Sequence, residues 1–149
     1  MKGFISYSHQ DAAMFKRLKA HLSYLPEVNF WTDQEIQAGD KWDAKILAEL
    51  ASAEVILLCV SAYFYCSNYI RTKELSHALE RDRLGTALVI PVILKNCLWQ
   101  ADPALSALSA VPLYGKPVQD WAPQEKGLAD ACHRIRDKVH SFAKAGVTP

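Results

Sequence analysis

The sequence predicts an α/β fold in which one parallel sheet carries helices on both faces. Three observations predict it. Val55–Val60 is a six-residue apolar run without alternation, the pattern of a strand covered on both sides. Short β-prone runs alternate with helical patterns along the whole chain, as βαβ units require. Half of the 149 residues are hydrophobic against 22% charged, enough for one proper core in one domain. Counting the runs gives five strands, in a flavodoxin-like three-layer arrangement with strand order 2-1-3-4-5.

Each element has its own local reason. Phe4-Ile5-Ser6-Tyr7 is β-prone and is broken by Ser8-His9-Gln10. Asp11 suits the N-cap of a helix that carries Met14, Phe15, Leu18 and Leu22 at helical spacing. Pro26 ends that helix, and Val28-Asn29-Phe30-Trp31 reads as the second strand. Residues 32–40 form a polar loop, after which Trp42, Ile46, Leu47 and Leu50 mark the next helix. A helix over 68–83 follows the apolar third strand, with Gly85 as its stop. The fourth strand, 87–94, contains Pro91, which lacks a ladder donor and places the strand near a sheet edge. Residues 96–116 are irregular, Lys116-Pro117-Val118 is a minimal fifth strand, and residues 124–143 form the last helix. The domain spans 1–145, and 146–149 reads as a tail or the start of a linker to a further domain.

Bulk properties narrow the function classes. A net charge of +1 gives no reason to expect a nucleic-acid or anionic-membrane partner. No run approaches the roughly 18 apolar residues of a membrane span. The first residues lead straight into a strand, with no room for a signal peptide. Cys59, Cys66, Cys97 and Cys132 form no metal-ligand spacing and read as reduced thiols, which points to the cytoplasm and to no metal. The histidines are scattered, and only His9 falls among the loops that matter.

In open α/β sheets ligands bind beyond the carboxyl ends of the strands, where the strand order reverses. Residues 6–11, 32–42 and 61–74 meet there. Glu74 lies about 60° from the centre of the apolar face made by Ile70, Leu75, Ala78 and Leu79, at the border of core and solvent. It reads either as a ligand-reaching carboxylate or as an ordinary acidic residue in a first helical turn. A phosphoacceptor receiver would need acidic residues where Ser6, Ser8 and Ser61 stand. Tyr7-Ser8-His9-Gln10 is too bulky for a flavin phosphate loop. Neither G-x-G-x-x-G nor G-x-S-x-G occurs.

These segments resemble Toll/interleukin receptor (TIR) domains of the bacterial type. The resemblance is carried by Phe4-Ile5-Ser6-Tyr7, by Asp33-x-x-Ile36-x-x-Gly39-x-x-Trp42, and by Ser67-x-Tyr69 followed by Glu74-Leu75. Ile90-Pro91-Val92-Ile93-Leu94 and Pro112-x-x-Gly115-Lys116-Pro117-Val118-x-x-Trp121 extend it, in order, over about residues 3–140. The chain departs from the family at Gly3, where an acidic residue is common, and at Tyr69-Ile70, where many members have Trp-Cys.

The resemblance implies cleavage of NAD⁺ at the nicotinamide–ribose bond, with linear or cyclic ADP-ribose as product and NAD⁺ as substrate rather than cofactor. It implies Glu74 as the catalytic residue and Ser8, His9, Asp33, Gly39, Trp42, Ser67 and Tyr69 as substrate-binding. Trp42 would cover the nicotinamide ring; the alternative is a core anchor of its helix. It also implies self-association with other TIR domains in an oligomer or filament, a fused sensor, and a place in prokaryotic defence. Two other readings stay open: a non-enzymatic TIR interaction module, and a nucleoside deoxyribosyltransferase-like enzyme. The loop 32–40, with Gly39 as hinge and little apolar anchoring, is expected to be mobile until a second domain holds it.

Overall fold

The computed structural model describes residues 1–36 and 39–146 of the chain. Its sheet is parallel, in the order β2-β1-β3-β4, formed by β1 (Lys2–Ser6), β2 (Asn29–Trp31), β3 (Val55–Val60) and β4 (Leu88–Ile93). β1 is the crossover point, pairing Gly3 with both Phe30 and Val55. Gly3 has no room for a side chain, since an added Cβ would lie 2.4 Å from the Phe30 ring. That packing excludes an acidic side chain there.

The helices sort onto two faces. α1 (Ala12–Leu22) and α6 (Gln124–Gly146) cover one; α2 (Trp42–Ser52), α3 (Ala62–Cys66) and α4 (Leu75–Arg83) cover the other. Successive β3 residues divide between them. Val55, Leu57 and Cys59 join Phe15, Leu18 and Ile135, while Ile56, Leu58 and Val60 join Ile46, Leu50 and Ala78. All six are fully buried, which is why the run is apolar at every position. A short α5 (Pro103–Ser106) lies in the long connection before α6.

Pro91 sits on the outer edge strand, as its missing donor requires. The Pro91 carbonyl accepts from Val111 on the outer side, so its nitrogen faces outward too and no β3 ladder bond is lost.

Three expectations need correction. Among the described residues the sheet has four strands, not five. Val118 is buried in a 3-10 turn, Val118–Asp120, and only Val111 bridges to Val92 of β4. Prolines at 112 and 117 and left-handed backbone at Tyr114 and Gly115 prevent an extended run between them. The helix expected over 68–83 is present with those bounds; its middle is a π-turn, Ile70–Glu74, running into α4, and α3 precedes it. Asp11 makes no side-chain capping bond to α1. Its carboxylate turns inward instead. Trp42 is 46% exposed and so is not a core anchor of α2. The proposed terminal tail falls on residues 147–149, which lie outside the described residues, as do 37–38 of the 32–40 loop.

Candidate active site

Glu74 closes the π-turn, where the Leu75 N–H reaches back to the Ile70 carbonyl. This i→i+5 closure accommodates one more residue than an α-turn and changes the helical phase. Glu74 is therefore turned inward, only 7% exposed, rather than standing at the border. Ser6, the last residue of β1, donates its hydroxyl to Glu74 Oε1 at 2.5 Å. Burial pushes the Glu74 carboxyl from its ordinary 4.5 up to about 7. The Ser6 hydrogen bond pulls it back, the nearby Asp33 charge raises it, and His9 lowers it.

His9 and Asp33 arrive from different loops. Ser8 caps the 3-10 turn His9–Asp11 by accepting from the Gln10 N–H, and Thr32 caps Asp33–Glu35 in the same way. These turns bring His9 Nε2 within 2.7 Å of Asp33 Oδ2. Tyr7, stacked on Phe15 with centroids 3.8 Å apart, leans against the His9 ring at 5.4 Å. Burial, with Asp33 beside it, raises the Tyr7 phenol above its ordinary range, so it stays neutral.

An aromatic pair adjoins the carboxylate through Tyr69, whose phenol feels the Glu74 charge. The Trp42 ring lies 4.5 Å from that of Tyr69, tilted by 51°, and Tyr69 donates to Asp43 Oδ1 at 2.7 Å. The first turn of α2 is thereby tied to the residue preceding the π-turn. Ser67 accepts from the Ile70 N–H at 3.2 Å and so starts that turn. Gly39 has φ +94° with open space around it, beside the undescribed 37–38. A surface depression of about 650 Å³ is lined by Trp31, Gln34, Glu35, Ile36, Asp40, Lys45 and Glu49. Glu74 does not line it; the carboxylate is covered.

Glu74, His9 and Asp33 are thus neighbours, with Tyr69 and Trp42 at their flank. Ser8 and Ser67 hold turns, and Gly39 shapes the loop. Sequence reasoning left out Ser6, whose signal is a lone hydroxyl where a buried strand ends. It also missed a second buried carboxylate system. Ser61 donates to Asp11 Oδ2, and Lys95 Nζ lies 2.7 Å from Asp11 Oδ1. Ser61 simultaneously caps α3 by accepting from the Phe64 N–H at 3.1 Å.

A family model described as TIR domain matches residues 4–128, which contain every residue of this site. The chain belongs to the TIR domain family. This TIR domain is also 33% identical, over 149 residues, to the uncharacterized protein y4lF of Sinorhizobium fredii (strain NBRC 101917 / NGR234). The match takes in 98% of this chain and 46% of that protein, so the TIR domain spans about half the length of its relative. Membership makes it a signalling module of the TIR type. No helix among the described residues is long and apolar enough to cross a membrane.

Proposed function

We propose that this TIR domain cleaves NAD⁺ in the cytoplasm at the nicotinamide–ribose bond, with Glu74 as the catalytic carboxylate. The observation that carries the reading is a buried carboxylate held by one serine and paired with no lysine or arginine among the described residues. A carboxyl pushed up to about 7 exchanges its proton near neutrality, as a general base must.

The chemistry needs little else. The C1′–N bond breaks with its electron pair going to the cationic nicotinamide, which leaves neutral and needs no acid. Positive charge then spreads over C1′ and the ring oxygen of the ribose, where the Glu74 carboxylate stabilises it. Water attacks C1′ and gives its proton to Glu74, yielding ADP-ribose. Attack by an adenine ring nitrogen instead closes the cyclic product. Ordinary glycosidases need a second carboxyl group because their leaving oxygen must be protonated. The Trp42 indole is the surface for the nicotinamide ring, by cation–π attraction. His9 and Ser8 would face the phosphates or the adenosine, while Asp33, Ser67, Tyr69 and Gly39 shape the cleft.

Self-association is the proposed activator. Asp33, from the 32–40 loop, lies beside the covered Glu74 carboxylate, and a second TIR domain packed on that loop would arrange the site for catalysis. The same covering favours the second reading, an interaction module without catalysis. Initial NAD⁺ loss, followed by mass spectrometry from nanomolar to tens of micromolar protein, decides between them. The expected result is a specific activity that climbs with concentration and is abolished by Glu74→Gln. A folded Glu74→Gln variant that works at the wild-type rate removes the assignment. Base exchange on a purine deoxynucleoside would instead indicate the deoxyribosyltransferase chemistry.

A further inference from the structure

We infer that Ser6 is the positioning residue that orients the Glu74 carboxylate, fixing Oε1 so that Oε2 is the oxygen offered to the ribose. The inference rests on the reading that Glu74 is catalytic. Its geometric basis is independent of that reading. Ser6 ends a strand paired with β2 along Lys2, Gly3 and Phe4 and with β3 up to its own partner Leu58, so its Oγ is placed by the sheet ladder. It is 1% exposed and bonds Glu74 across 68 residues of sequence. Among the described residues no other side chain donates a hydrogen bond to Glu74.

A π-turn is a less regular support than a strand, so without this bond packing alone restrains the buried carboxylate. The bond also favours the charged form over the protonated one. The other ionisable groups around Glu74 are Asp33 and His9 from the loops and the Tyr69 phenol from its own segment. None of them changes when the Ser6 hydroxyl is removed.

The test compares the full chain with Ser6→Ala and with Ser6→Cys, whose thiol is a weaker donor. Ser6→Ala should lower kcat about tenfold, the scale of one lost hydrogen bond to a charged group, with KM within about twofold. Activity needs the carboxylate, so the acidic limb of kcat should move to higher pH in Ser6→Ala. The carbon-13 titration of the Glu74 carboxyl should move the same way, with Ser6→Cys between the two. A rate loss with both midpoints unmoved means ordinary packing damage and overturns the inference. If the wild-type chain consumes no NAD⁺ at any concentration, the functional reading fails on its own. The carboxyl titration then still decides, and an unmoved midpoint overturns the Ser6 bond as an orienting contact.

Discussion

Asp11 and Glu74 are both buried carboxylates, and each accepts from a serine at the end of a neighbouring strand, Ser61 after β3 and Ser6 in β1. Asp11 also has Lys95 at 2.7 Å, whereas Glu74 has no lysine or arginine at all among the described residues. The charge of Asp11 is compensated: its side chain is fully buried, and its partners join the 8–11 turn to the ends of β3 and β4. Glu74 is left with a net cost of burial that shows as a raised pKa. A compensated buried charge is a structural tie, and an uncompensated one is kept at the expense of stability, which is where chemistry is expected.

The contrast predicts opposite signs for two similar substitutions. Asp11→Asn should destabilise the fold by about 3 kcal/mol, because it strips the partner from Lys95. The figure is at the low end for a broken buried pair, since Lys95 is 28% exposed and can turn to solvent. Denaturant titration checks it. A loss below about 1 kcal/mol would make Asp11 no more of a tie than Glu74.

Glu74→Gln should do the reverse. Glu74 holds its proton more tightly folded than unfolded, so between pH 4.5 and about 7 the folded chain carries the extra proton. Stability therefore falls as pH rises through that window, and the full penalty is present above it. The shift corresponds to about 3 kcal/mol. A carboxamide keeps some desolvation cost, so Glu74→Gln should gain about 2 kcal/mol at pH 8 and little at pH 5. Thermal melts at the two pH values read this out. A variant less stable than wild type at pH 8 would break the comparison.

The smallest expected effect concerns the flank of Glu74. Trp42→Ala should cost about 1 kcal/mol of stability, since the ring is half-exposed and loses one aromatic pair. It should raise the NAD⁺ concentration for half-maximal rate. Melts and kinetics on one preparation separate the two, and unchanged kinetics would confine Trp42 to holding α2 against Tyr69.

The sequence alone determined the layered α/β architecture, the family and the segments that meet at the cleft. Apolar runs such as Val55–Val60 and the periodicity of α1 and α6 are local signals of burial, and burial on two faces has one common architectural solution. Tertiary structure decided what no local pattern encodes. Lys116 and Pro117 are extended, but Val118 opens a 3-10 turn with Gln119 and Asp120, so the fifth strand was lost. Whether Trp42 pointed inward depended on Tyr69, far along the chain. The inward turn of Glu74 came from a π-turn, which differs from an α-turn by one hydrogen bond and has no compositional signature. Which carboxylate received a cation was settled only by folding, because Lys95 meets Asp11 across three crossings of the sheet. Periodicity reports which way a side chain faces; only the packed chain fixes what it faces.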